Sequence, residues 1–169
     1  DEEDMNSFNT TPPVNLVTFS DPIINTDNIV SLDNTTSIFT INLTGMYEIS
    51  AFVNYNPMAK AIIGTNHNKR AFLNVKIQKL TNGSWVDIIG SRTAWGIDGS
   101  ELKTAIIMGT PVTFLQGDQI RLTISNPFMT EGAYNDHCGS GDCFIGTDLT
   151  NNIPVSKGLK MRLLDYNLK

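Results

Sequence analysis

The sequence is poor in the residues that most enzymes use for acid-base chemistry and for metal binding. Its 169 residues include only 2 histidines and 2 cysteines. A hydrolase needs a nucleophile, a base and an orienting acid, and only His67 and His137 could supply an imidazole base. Both lie in segments that we expect to be loops. The sequence therefore predicts that the chain is not an enzyme.

The chain also lacks a surplus of basic residues and any long apolar run. Its formal net charge is -5 at pH 7, which argues against a nucleic-acid partner because such proteins concentrate Lys and Arg on one face. The longest apolar runs, such as Ala105 to Met108, fall well short of the ~20 residues of a membrane helix. Charged residues make up only 17%, as is common in loop-rich β proteins outside cells. We expect a secreted, cell-surface or virion-surface domain without membrane insertion.

Apolar residues recur at every second position in many segments, which is the pattern of strands that bury one face. The clearest segments are Phe39 to Leu43, Tyr47 to Tyr55, Leu73 to Ile77, Ile120 to Ile124 and Leu159 to Tyr166. Tight turns are predicted at Asn82-Gly83 and at Gln116-Gly117-Asp118. Helical spacing is nearly absent. The sequence predicts a β sandwich or barrel spanning residues 14–169, preceded by a flexible tail at residues 1–13.

Two connections are long for such a fold, and long loops in compact domains commonly carry function. They run from Asn56 to Arg70 and from Asn126 to Lys157. We expect ligand contacts from His67 in the first loop, from Asp136 and His137 in the second, and from Trp95 in a stretch of small residues. For each aromatic residue, packing in the core is the competing interpretation.

The second long loop contains both cysteines and several acidic residues. Cys138 and Cys143 flank a short glycine-rich segment, which favours a local disulfide in an oxidising compartment. The alternative is a metal site with His137, but it lacks a fourth ligand. Asp136, Asp142 and Asp148 are candidate calcium ligands because Ca²⁺ prefers hard oxygen donors. Solvation of the same carboxylates is the simpler alternative.

One motif goes beyond a generic sandwich. Asp27, Leu32 and Phe39, followed by Gly45 and Tyr47, are similar in spacing to the signature of the globular head of complement component C1q. Downstream, the segments Phe114 to Leu122 and Gly158 to Met161 resemble the family's glycine-aspartate turn and final strand. The sequence departs from the family pattern at Ile49 and Ala51, where the family has aromatic residues. The aromatic residue that the family has near Asp21 is found here two positions earlier, at Phe19. The Asn-rich turns and the segment Ser91 to Trp95 resemble the bacterial and phage branch of the family.

The resemblance implies an all-β, ten-stranded jelly-roll sandwich of the C1q and tumour-necrosis-factor (TNF) type that assembles as a homotrimer. Candidates for an aromatic trimer face are Tyr47, Phe52, Tyr55 and Trp95. The expected function is a non-enzymatic recognition head that presents its loops to an unknown protein or carbohydrate ligand. The alternative is a structural trimerisation cap of a fibre, stalk or surface adhesin that binds no ligand itself.

Overall fold

The computed structural model describes residues 3–4, 15–19, 27–57, 70–96, 103–125, 143–145 and 157–166. Over these residues the chain is all-β and contains no helix, so no described helix could cross a membrane. The strands are β1 (Glu3–Asp4), β2 (Asn15–Leu16), β3 (Val30–Asp33), β4 (Ile38–Ile41), β5 (Gly45–Pro57), β6 (Arg70–Thr81), β7 (Ser84–Gly96), β8 (Lys103–Phe114), β9 (Gln119–Ser125), β10 (Cys143–Ile145) and β11 (Lys157–Asp165).

Strand β5 is the centre of the first sheet, which we call sheet 1. Strand β8 pairs along one edge of β5 and β11 along the other, both antiparallel, so that Tyr47 lies opposite Val112 and also opposite Leu163. The short β10 pairs with the last residues of β5 and with β1. Its pairing with β5 holds the last strand, β11, in the sheet, as the alternation of its residues predicts.

The second sheet, sheet 2, has the strand order β3-β4-β9-β6-β7. Every pairing in it is antiparallel. Strand β9 pairs with β6 along one edge, while β4 and then β2 pair with successive parts of the other edge. Both β6 and β7 are long, and they are joined by the tight turn between Thr81 and Ser84.

The pairing of the long strands is nested. Strand β6 pairs with β7, the strands on either side of that hairpin, β5 and β8, pair with each other, and the next pair outward is β4 with β9. A long antiparallel ribbon rolled over two sheets in this manner is a jelly roll, so the predicted fold class is confirmed. The described residues form eleven strands, of which eight have at least four residues.

The core lies between the two sheets and is built from the alternate residues that the sequence pattern identified. Fully or almost fully buried apolar side chains come from both sheets: Val17, Ile41, Tyr47, Ile49, Ala51, Val53, Val75, Ile77, Ala105, Ile107, Phe114, Ile120, Leu122 and Ile124. Leu159, Met161 and Leu163 of β11 pack partly buried against them. Burial of these side chains supplies the main favourable term in folding.

Two turns have the backbone that their residues predict. Asn82 and Gly83 have φ angles of 51° and 78°, as a two-residue hairpin turn requires. Gly117 has a φ of 88°, and the neighbouring Asp118 carboxylate accepts hydrogen bonds from the Leu115 backbone N–H at 2.8 Å and from Lys79 Nζ at 2.5 Å. Asp118 therefore joins the turn before β9 to the side chain of a neighbouring strand.

Some predicted strand limits were wrong. Leu43 was placed in a strand with Phe39 and Ile41, but β4 ends at Ile41 and the Leu43 side chain is 39% exposed. The reason is the connection to β5, which turns the chain from sheet 2 to sheet 1 at this point. The last strand begins at Lys157, two residues before its predicted start, and ends at Asp165.

Candidate binding surfaces

Most of the residues that the sequence singled out as ligand or metal contacts lie outside the described residues. These are His67, Asp136, His137, Cys138, Asp142 and Asp148. The disulfide and the calcium site therefore stay predictions. Within the described ranges, no group of three His, Cys, Asp or Glu side chains is placed to hold a metal ion.

The backbone of two other candidates is described. Trp95 lies on strand β7, opposite Ala71 of β6, so it is not in a loop as we expected. Cys143 begins strand β10 and lies opposite Pro57 of β5. The long connection after Asn126 therefore contains a strand that the glycine-rich sequence around the cysteines did not indicate.

The aromatic trimer-face prediction was wrong for Tyr47. Its side chain is fully buried between the sheets and packs edge-to-face against Phe114, with the ring centroids 5.9 Å apart. The hydroxyl donates a hydrogen bond to the Leu43 carbonyl at 2.5 Å, and burial raises the pKa of the Tyr47 phenol. Tyr47 is a core residue because it shares the inner face of β5 with Ile49 and Val53.

Phe52 does lie on the outer face of sheet 1, the face turned away from the core. It is the Cα partner of Ile106 on β8 and of Gly158 on β11. The side chain of Ile106 is 50% exposed and that of Met108, two residues along the same strand, is 76% exposed. We call the outer surface formed by Phe52, Ile106 and Met108 the apolar face.

The apolar face is closely packed at its centre and charged at one side. A Cβ atom added to Gly158 would lie 2.4 Å from Phe52 Cε1, so the glycine is what allows the phenyl ring to lie across β11. Glu48 and Arg162 are Cα partners on the same outer face, which places opposite charges across the ladder. Leu164 and Tyr166, 43% and 64% exposed, follow at the end of β11.

The outer face of sheet 2 has a different chemistry. A chain of hydrogen bonds crosses three strands: Arg121 Nε donates to Gln78 Oε1 at 2.9 Å, and Gln78 Nε2 donates to Asp87 Oδ1 at 2.7 Å. Lys76 Nζ donates to the other oxygen of the Asp87 carboxylate at 2.5 Å. We call this surface, formed by strands β6, β7 and β9, the cationic face.

Arg121 is held on a second side by an aromatic ring. Its guanidinium carbon lies 4.2 Å from the centroid of the Trp85 ring, within the range of a cation–π contact. Partial burial lowers the pKa of the Arg121 guanidinium, which nevertheless stays charged because arginine begins near the top of the pKa scale.

The charges of the cationic face contrast with those of the chain as a whole. Lys76, Arg92 and Arg121 are its described basic side chains on β6, β7 and β9, and Asp87 is its only described acidic one. Lys79 also lies on β6 but pairs with Asp118 at the edge of the core. A chain with a net charge of -5 thus carries a locally positive surface.

The loop lengths that predicted the ligand contacts do not predict either of these two surfaces. Ile106 and Met108 belong to the apolar run Ala105 to Met108, in which both strand faces are apolar. That continuous run, in a chain whose other strands alternate, is the signal that an outer face is also apolar. Trp85 and Arg121 carry no such local signal.

Comparisons with known proteins find distant structural similarity and no function. No family model matches the chain and no curated protein matches it. Among solved structures, murine APRIL at pH 5.0 is similar at 14% identity, covering 66% of this chain and 72% of its own, with a TM-score of 0.49. A second murine APRIL structure, at pH 8.5, has 11% identity, coverage of 75% and 77%, and a TM-score of 0.48. Eiger TNF from S. frugiperda has 11% identity, coverage of 58% and 55%, and a TM-score of 0.40.

The fold is a jelly roll. The nested strand pairs carry this conclusion. Identities this low concern the fold alone and say nothing of what the chain binds. The bacterial or phage origin suggested by the sequence stays a prediction.

Proposed function

We propose that the chain is a non-enzymatic extracellular recognition head that assembles as a homotrimer through its apolar face. The observation that carries the proposal is the exposure of Ile106 and Met108, 50% and 76%, beside Phe52 on one sheet surface. Neighbouring exposed apolar side chains on a sheet mark an interaction surface more often than single scattered ones do. The resemblance to C1q-type heads favours three copies as the assembly.

The remaining surroundings of the apolar face fit a contact between copies of one chain. Burying the exposed part of Ile106 alone would stabilise an assembly by roughly 1 kcal/mol, and Met108 exposes a larger fraction. Glu48 and Arg162 on the same face offer both signs of charge. A closed ring of identical subunits needs such complementary groups on every copy.

In this proposal the ligand, a protein or a carbohydrate, contacts the long loops. Asp136 and His137, with His67 and Trp95, are the proposed contacts, and a trimer would multiply weak contacts into useful avidity.

The Cys138–Cys143 disulfide would close the second loop. Asp136, Asp142 and Asp148 would hold calcium there. The disulfide predicts that the mass of the chain shifts on reduction and alkylation, and an unchanged mass would contradict it. The calcium site predicts a higher Tm in calcium than in chelator, and an equal Tm would contradict it.

The test of assembly compares two apolar residues of matched exposure on opposite sheets. Ile106 is 50% exposed on β8 and Val86 is 47% exposed on β7. We expect the Ile106→Glu variant to be monomeric by light scattering at micromolar concentration, because the new carboxylate would be buried in the interface. The Val86→Glu variant should remain a trimer like the unmodified chain. Thermal melting of each variant checks that it is folded.

Two results would overturn the proposal. An unmodified chain that is monomeric at micromolar concentration contradicts the assembly, and so does a folded Ile106→Glu variant that keeps the trimer mass. A trimer that binds no member of a glycan or protein array would instead support the structural cap over the recognition head.

A further inference from the structure

Arg121 is a cation held in position, and some of its hydrogen-bond donors have no acceptor among the described residues. Its guanidinium carries five N–H donors in a fixed planar arrangement, and in the described part of the chain only Nε has a hydrogen-bond acceptor, Gln78 Oε1. The Trp85 ring accounts for one flat side of the group. The two terminal nitrogens at the outer end of the fork are left for another partner.

The surroundings hold this fork in place before any ligand arrives. Gln78 is only 8% exposed, and its amide is fixed at the other end by Asp87, which is itself held by Lys76. Gln78 and Arg121 are also Cα partners in neighbouring strands. Little side-chain entropy remains to be lost on binding, which favours affinity.

The charge and shape of the group indicate a carboxylate. A guanidinium edge matches a planar carboxylate in a bidentate arrangement, and such charge-assisted pairs are the stronger hydrogen bonds in proteins. Around Arg121, the cationic face contributes Lys76 and Arg92 against the single carboxylate of Asp87. An anion is therefore attracted to a surface on an otherwise acidic chain.

The polarity of the cationic face favours a carbohydrate over a protein partner. The centre of a protein interface is depleted in charge and rich in apolar groups, which describes the apolar face of sheet 1. On the cationic face, by contrast, the alternate residues Asn74, Lys76 and Gln78 of β6 are all polar. The half-buried indole of Trp85 lies at one end of this row, beside Arg121. A sugar has both hydroxyl groups and an apolar ring face, so a polar surface that includes one aromatic ring offers contacts to both.

We propose that the cationic face is a second binding site, separate from the loops, that takes an acidic glycan whose charge is carried by uronic-acid carboxylates. One carboxylate pairs with the terminal nitrogens of Arg121, and the sugar ring lies beside Trp85. Lys76 and Arg92 interact with further carboxylates along the same strand direction. The site is on sheet 2, so it stays open when the apolar face of sheet 1 is covered.

The test is isothermal titration of the full chain with an oligogalacturonide of defined length at low salt. The matched ligand is the same oligosaccharide after reduction of its carboxyl groups to alcohols. We expect the acidic form to bind, the reduced form not to bind, and affinity to fall as salt is added. In Arg121→Lys, which keeps the charge and loses the fork, binding should weaken roughly tenfold or more, a loss expected for a charge-assisted bidentate pair.

The control variant is Lys160→Ala, which removes an exposed cation from β11 of sheet 1, opposite Ser50, and should bind as the unmodified chain does. Equal binding by Arg121→Lys and the unmodified chain would overturn the proposal, as would no binding at all. Tighter binding of dextran sulfate, or of poly-glutamate, at Arg121 would overturn the choice of a uronate glycan. Light scattering of the same samples separates this outcome from a failure of the trimer, because the two sites lie on different sheets.

Discussion

The two outer faces of this sandwich are built from the same kind of strand and differ in what their outward residues do. On sheet 2, the outward side chains satisfy one another: Lys76, Asp87, Gln78 and Arg121 form one continuous chain of hydrogen bonds. On sheet 1, Ile106 and Met108 are exposed to water. A polar outer face needs no cover to be stable in water, whereas an apolar one gains stability when something covers it.

The difference also concerns the space available on each face. Each face has a glycine at which an added Cβ can be compared. At Gly158 of sheet 1, the Cβ would lie 2.4 Å from Phe52 Cε1. At Gly90 of sheet 2, the closest atoms would be Lys76 Cγ and the Val75 carbonyl oxygen, both at 3.3 Å. The first contact is far inside van der Waals distance. The second is only slightly tight, and the lysine stem is flexible.

Substituting these two glycines should change stability by very different amounts. Gly158→Ala should lower the free energy of unfolding by about 2 kcal/mol, because the half-buried Phe52 ring must be displaced. Gly90→Ala should change it by less than about 0.5 kcal/mol, because the small steric cost is offset by the lower entropy of the unfolded chain. Urea unfolding of both variants measures the two values. Equal destabilisation would remove the packing difference between the faces.

A smaller effect is expected from acid on the cationic face. Burial alone would raise the pKa of the Asp87 carboxyl, but hydrogen bonds from Lys76 and Gln78 and the nearby ammonium charge outweigh it and lower the pKa. A carboxyl whose pKa is lowered in the folded state stabilises it above the unfolded pKa and loses that contribution as pH falls through the folded value. This stabilisation should therefore disappear below about pH 4.

The matched variant for this prediction is Asp87→Asn. Since the pair is half exposed, we expect it to contribute only about 0.5 kcal/mol at neutral pH. The stability of the unmodified chain should fall toward that of Asp87→Asn as the pH is lowered from 6 to 3, as measured by urea unfolding at each pH. A constant difference between the two over that range would contradict the lowered pKa.

Alternation predicted the inward face of the long strands well, because one residue in two must enter a common core. Ile49 and Val53 on β5 and Ile120 and Leu122 on β9 are buried as the pattern requires. The short β3, Val30–Asp33, was not recognised as a strand. Four residues are too few to establish a period, and its place depends on pairing with β4.

The outer faces could be predicted only in part. The run Ala105 to Met108 is apolar on both sides, so the sequence alone does not say which residues point outward. Pairing of Ile107 with Ala51 and of Ile106 with Phe52 decides it. Trp85 and Arg121 meet because Leu80 and Gln78 of β6 are their respective Cα partners, a register that no local pattern encodes.

The oxidation rate of Met108 in solution shows whether the apolar face is covered. Mass spectrometry after brief treatment with hydrogen peroxide gives the oxidation rate of this side chain, which is 76% exposed in the single chain. If the apolar face is an interface between copies, Met108 in the unmodified protein should oxidise several-fold more slowly than in the monomeric Ile106→Glu variant. Equal, rapid oxidation of Met108 in both proteins would show that nothing covers this face, so that it is not the interface between copies.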